Sequence, residues 1–172
     1  MTITKSDLKL IIPFLLFLIG GLYCAYSADF IQNDKALSTA FKWFIVPSIV
    51  VGAFYGYRST FGYDKKTPVW RNILGLLVLT LIFTLMFLKS CQGYLILYNC
   101  NFVTQKNILI KGQVTKLDYP KRKKPLNNYA IIIDTDDTKE TIKLDVPTNK
   151  YFVGQTFEKE LTLGSLGFLY SH

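Results

Sequence analysis

Three long apolar stretches, Leu10 to Tyr26, Phe41 to Tyr57 and Ile73 to Leu88, fill the first half of this chain, and Lys42 is the only charged side chain within them. A helix that is apolar on every side must face protein or lipid, and the remaining residues are too few to cover three of them. The stretches are therefore read as membrane spans. Each covers about 25 Å at helical rise, slightly short of a hydrocarbon core of about 30 Å, so flanking residues must complete the crossing. Tyr23, Tyr26, Trp43, Tyr55, Tyr57 and Trp70 sit near the ends, where an amphipathic ring rests between lipid tail and headgroup. Lys9, Lys42, Arg58, Arg71 and Lys89 bracket the apolar runs.

The 50% hydrophobic content and the net charge of +8 are averages over two different halves. Residues 1–90 form the expected transmembrane domain, 91–106 a helical extension or linker that turns near Asn101, and 107–172 a water-exposed module. A module of that size buries a modest core and gains from docking on other elements. Ala25 and Ser27 imitate a signal-peptide cleavage site, but the first stretch is taken as a retained span. Short connections set the orientation: Lys5, Lys9, Arg58, Lys65, Lys66 and Arg71 outweigh Lys35 and Lys42. Basic loops stay in the cytoplasm, so three spans deliver the carboxy-terminal module to the opposite side.

From Asn107 onward the hydrophobic period changes to two. Ile108, Ile110 and Val114 alternate with Leu109, Lys111 and Gln113; Tyr129, Ile131 and Ile133 repeat the pattern; Ile142, Leu144 and Val146 alternate with Thr141, Lys143 and Asp145. These are half-buried strands. Asp136, Asp137 and Thr138 give a polar turn joining Tyr129–Asp134 and Lys139–Val146 into a hairpin. Further strands are expected at Tyr151–Val153, Phe157–Leu163 and Phe168–Tyr170, punctuated by Gly154 and Gly164. The fold expected is three transmembrane helices followed by a small antiparallel β-barrel or sandwich, because an open sheet would leave exposed edges.

Catalytic constellations are missing from the sequence. The single histidine is His172, so Ser-His, Cys-His and His-based metal arrangements have no partner. Asp134, Asp136 and Asp137 lack the glycine and distal glutamate of a calcium loop, and Glu158 and Glu160 share one strand face. Gly20 and Gly21 lie in a span, where small residues permit close helix packing. No acidic or basic residue sits at mid-depth in a span, which argues against an ion path. No cofactor, metal or enzymatic activity is expected. Of three cysteines, Cys24 is a packing residue; Cys91 and Cys100 could pair in an oxidising compartment, or stand as two buried thiols, since a helix between them would hold the sulfurs apart.

The one concentrated polar feature is Lys121, Arg122, Lys123 and Lys124, framed by Pro120 and Pro125. Adjacent cations attract an acidic protein surface or anionic headgroups of the bilayer. Nucleic acid is not expected, because no aromatic residue interleaves the run for base stacking.

With Ile110-Lys111-Gly112-Gln113-Val114, Tyr151-Phe152-Val153-Gly154 and Gly164-Ser165-Leu166-Gly167 in its β module, the chain resembles in layout the small bacterial inner-membrane immunity proteins that protect a producer against a toxin. These are turn and strand motifs that carry over no binding residue. The resemblance implies a non-enzymatic inner-membrane protein with a cytoplasmic amino terminus, whose periplasmic module captures an acidic protein partner, a toxin, through Lys121 to Lys124. The alternatives are a membrane effector or sensor with a cytoplasmic β-barrel that binds a small anionic ligand and assembles the spans, and an accessory subunit of a membrane complex. Self-association of the chain is compatible with each.

Overall fold

The structure, a computed structural model, describes residues 5–25, 28–62, 68–102, 105–119, 129–135 and 140–171. Among these, helices α1 (Lys5–Ala25), α2 (Asn33–Phe61) and α3 (Val69–Asn101) precede strands β1 (Lys106–Asp118), β2 (Tyr129–Thr135), β3 (Thr141–Val146), β4 (Thr156–Leu163) and β5 (Leu169–Tyr170). The chain divides into two compact units: Met1–Ala25 with Leu37–Tyr94, and Tyr26–Ala36 with Leu95–His172. The boundary differs from a simple cut after residue 90. The connection between α1 and α2 and the last turns of α3 belong with the strands.

In the helical unit all three helices are long and apolar enough to cross a membrane, with mean hydropathies of 2.1, 1.6 and 2.3 over the most apolar 18 residues of each. Only 17% of each most apolar window is buried, leaving Leu16, Ile19, Val46, Leu77 and Leu81 outward as a lipid-facing surface would require. Lipid removes the hydrophobic drive between helices, so small residues and interhelical hydrogen bonds must hold them. Both are present. A Cβ at Gly21 would stand 2.5 Å from Ser90 Cα, and one at Gly93 would collide with the Gly21 carbonyl. Tyr55 donates to the Leu10 carbonyl at 3.0 Å, Tyr94 to Phe17 at 3.1 Å and Ser90 to Leu18 at 3.3 Å. Asp7, 2% exposed, pairs with Arg58 at 3.3 Å, which compensates the cost of a carboxylate out of water.

The β unit is a curled antiparallel sheet, a half-barrel, in the order β3-β2-β1-β4-β5. Alternation puts Ile110, Val114, Ile131, Ile133, Leu144, Val146, Phe157 and Leu161 on one buried face. A bulge between Val114 and Lys116 shifts the register against β2 and tightens the curl. The expected strand at Tyr151–Val153 is not one. Those residues lead into a turn at Val153 and Gly154, whose φ of 89° suits glycine.

The sheet is open in strand order, yet its two edges are bridged by the α1–α2 connection. Asp29 exchanges both backbone hydrogen bonds with Ser171, just after β5, at 2.8 Å each; Ile31 exchanges both with Asp145 of β3, at 3.2 and 2.9 Å. In a regular strand, residues two apart present their peptide groups to the same neighbour. Reaching opposite edges from Asp29 and Ile31 therefore requires the chain to roll over between them, and Phe30 does so with a φ of 49°, rare for a non-glycine residue. Its ring, 7% exposed, enters the half-barrel core beside Phe157, and Lys159 Nζ lies 3.3 Å from the ring centroid. Burial holds the Lys159 ammonium below the usual lysine value, with Asp29 opposing that shift. Gln32 completes the strap: its N–H donates to the Leu169 carbonyl at 3.2 Å, and its Oε1 accepts from the Leu169 N–H at 3.1 Å.

Helix ends dock into the same unit. Asn33 donates to the Asp145 carboxylate at 2.6 Å, and Lys143 bridges Asp118 at 3.0 Å and Asp34 at 3.3 Å. The bond to Asp118 is the main cause holding Lys143 above its ordinary pKa. Near the end of α3, fully buried Asn99 donates to the Phe168 carbonyl at 3.0 Å and accepts from the Leu166 N–H at 2.9 Å. Replacing Phe30 with Ala removes the core ring while keeping the left-handed backbone demand. It is expected to cost about 3–5 kcal/mol, read as a lower thermal midpoint of the purified protein, whereas Phe30→Leu retains most of that stability.

Candidate partner-binding surface

The far end of β1 carries the most exposed apolar side chains of the β unit. Tyr119 follows β1 and Tyr129 opens β2; their rings meet edge to face at 5.1 Å. The Tyr119 hydroxyl donates to the Tyr151 carbonyl at 3.2 Å, and the Tyr151 ring lies 6.1 Å from Phe157 of the core. Burial raises the pKa of Tyr119 and of Tyr151 above the usual phenol value, so both stay neutral donors through the physiological range.

Beyond Tyr151 the chain makes a tight turn whose backbone is held at several points. Gly154 N–H donates to the Val114 carbonyl at 2.8 Å, and Gln155 N–H to the Phe152 carbonyl at 3.2 Å. The Gln155 side chain accepts from the Phe152 N–H at 3.2 Å, and Gln113 donates to the Gly154 carbonyl at 3.1 Å. The result is a fixed tip that leaves Phe152 62% and Val153 60% exposed. Preorganised apolar side chains lose little freedom when a partner covers them, which is what makes such a tip suited to docking. Lys116 and Lys150 are exposed in the same unit.

Lys121, Arg122, Lys123 and Lys124 lie outside the described residues. Tyr119 and Tyr129, whose rings meet, are the described residues that flank that segment in the sequence. The other residues weighed in the sequence separate. Cys91 and Cys100 are buried free thiols on the single helix α3. Nine residues of helical rise hold them about 13 Å apart along the axis, beyond the reach of a disulfide while the helix is intact. Glu158 pairs with Lys111 across the β1–β4 register at 2.6 Å, and both are exposed. Asp134 accepts from Thr141 at 2.9 Å, while Asp136, Asp137 and His172 lie outside the described residues. Among the described residues no three His, Cys, Asp or Glu side chains group to hold a metal ion.

Sequence reasoning found the basic run but missed the tyrosines around it. The available signal was a tyrosine just before Pro120, another just after Asn128, and an apolar pair next to Gly154 in a segment otherwise read as a strand. Comparison with protein-family models, characterised proteins and solved structures finds no match to this chain. Tyr119→Phe deletes the hydroxyl that ties this end together. It is expected to lower stability by about 1 kcal/mol, measured by denaturant unfolding, with the helical content unchanged.

Proposed function

We propose that this is a non-enzymatic integral membrane protein whose β module binds a protein partner, with the Phe152–Val153 tip as the docking anchor and the basic run as the source of charge steering. The observation that carries the reading is the hydrogen bond from Tyr119, the last described residue before the Lys121–Lys124 run in the sequence, to Tyr151, which directly precedes the exposed apolar tip. Apolar anchors supply affinity, and a cationic neighbour supplies encounter rate and preference for an acidic surface. Basic residues in the amino-terminal tail and in the α2–α3 connection favour a cytoplasmic location for those segments and an outer, periplasmic location for the module. Within that arrangement the role proposed is toxin neutralisation by occlusion, the anchor concentrating the module where a secreted toxin arrives.

A second reading, a sensor or effector with a cytoplasmic barrel, has one observation in its favour. The strap that closes the half-barrel lies in the connection between α1 and α2 in the sequence, so a ligand that reshaped the sheet would act on the segment joining two candidate spans.

An introduced cysteine at Val153, in a background lacking the three native cysteines, separates the readings. Labelling by a membrane-impermeant maleimide in intact spheroplasts is expected. Labelling only after lysis would overturn the periplasmic placement and favour the sensor. A photo-crosslinker at Phe152 is expected to trap a protein adduct whose yield falls with added salt, and alanine at all four basic positions is expected to flatten that salt dependence.

A further inference from the structure

The helical unit brings charged groups together at the end where α1 begins, α2 finishes and α3 begins. Asp7 of α1 pairs there with Arg58 of α2, and a Cβ on Gly75 of α3 would stand 3.0 Å from Thr60 of α2. The two members of the ion pair differ in exposure. Asp7 is 2% exposed, whereas the Arg58 side chain is 46% exposed and gives Asp7 a single bond, from Nη2 to Oδ1 at 3.3 Å. A guanidinium carries five N–H donors in a planar fork that matches the oxygens of a phosphate. The buried carboxylate thus holds the fork by one prong while much of the side chain stays open to whatever surrounds the helices.

What lies beside Arg58 on the helix surfaces is apolar. Phe54, one turn before Arg58 on the same face of α2, is exposed, and so is Tyr57, whose ring stacks on Phe61 at 5.2 Å. On α1, Leu8 follows Asp7 and Ile12 continues the same exposed face one turn later. Positive charge dominates this end. Lys9 and Arg71 are exposed, and Asp7, the one acidic residue among those described there, is already engaged by Arg58. A cation at the limit of an apolar strip suits an amphiphile with an anionic head and hydrocarbon tails. Phosphate oxygens take charge-assisted hydrogen bonds from a guanidinium, and anionic leaflets draw basic residues that flank membrane spans. A soluble phosphate has no hydrocarbon to lay against Phe54 and Ile12.

We propose that Arg58, held by Asp7, binds the phosphate headgroup of an anionic phospholipid whose acyl chains run along Phe54 and Ile12. The site rests on the membrane-spanning reading of the helices and is independent of partner capture at the Phe152–Val153 tip.

The test places the full chain in phosphatidylcholine nanodiscs with a rising fraction of phosphatidylglycerol and measures the lipid retained on the released protein by native mass spectrometry. Saturable retention of phosphatidylglycerol over phosphatidylcholine is expected. Arg58→Gln alone would strand a buried carboxylate, so the variant combines it with Asp7→Asn, which removes both charges and leaves the net charge unchanged. It is expected to weaken phosphatidylglycerol binding about tenfold, with a thermal midpoint in pure phosphatidylcholine near that of wild type. Should the double variant fail to fold, Arg58→Lys, which keeps the charge and loses the fork, is expected to weaken binding several-fold. Lysophosphatidylglycerol is expected to displace the bound lipid, and glycerol 3-phosphate is not. Retention that never saturates, wild-type binding by the folded double variant or by Arg58→Lys, or equal displacement by glycerol 3-phosphate would each overturn the proposal. A chain that resists alkaline carbonate extraction yet shows no lipid preference contradicts this site alone, whereas extraction by carbonate contradicts the membrane reading beneath it. Phe152→Ser is expected to leave lipid retention intact.

Discussion

The fold of the β unit depends on a reversal of hydrogen-bonding direction at one residue. Asp29 and Ile31 are two positions apart and bond to opposite edges of the sheet, which an ordinary extended strand cannot do. Phe30 provides the roll and then fills the space it encloses. A sheet of five strands with two bare edges and a core this small would be marginal alone. One bridge of two backbone hydrogen bonds on each side, Asp29 with Ser171 and Ile31 with Asp145, converts it to a nearly closed surface with Phe30 at its centre. The left-handed backbone costs about 1 kcal/mol, and burying the ring contributes about 1.5–3 kcal/mol, so the exchange favours the strap.

That strap also carries the topology. Because the α1–α2 connection is hydrogen-bonded into the sheet, it and the carboxy-terminal strands must share one side of any membrane the helices cross, as three spans require. The contacts of Asn33 and Asp34 with β3 extend the attachment into the first turn of α2. At the other helix terminus, Tyr170 donates to the Cys100 carbonyl at 3.2 Å and buried Asn99 satisfies the loop before β5. The β unit thereby includes the α1–α2 connection and the last turns of α3, and the apolar spans alone do not predict this.

Much of the fold was legible because it rests on local periodicity. Apolar runs without charge give α1 to α3, and the alternation of Ile131, Ile133, Leu144 and Val146 gives the buried face of β2 and β3. The pairing of Asp7 with Arg58 was not legible: it joins residues far apart in sequence, and Arg58 alone reads as an interfacial flank. The strap was hidden for a related reason. A segment as short as Asp29 to Ile31 has no period to detect, and its strand character exists only because two edges lie within reach. Tyr151 to Val153 misled in the opposite sense. Three consecutive β-prone side chains suggest a strand, but Gly154 and the bonds from Gln113 and Gln155 turn them into a tip. Of the candidate surface, the basic run was visible as composition and the aromatic support was not, since Tyr119, Tyr129 and Tyr151 come together only after the strands pair.

β1 thus links two different ends: a tyrosine cluster with an apolar tip at its finish, and a cleft of the β unit at its start. Both depend on the curl that the strap maintains. Backbone hydrogen exchange of the intact protein in nanodiscs tests that dependence most directly. The amides of Asp29, Ile31, Asp145 and Ser171 are predicted to exchange slowly and together with the central strands. Rapid exchange of Asp29 and Ile31 alongside protected β1 and β2 amides would contradict the closure on which this account rests.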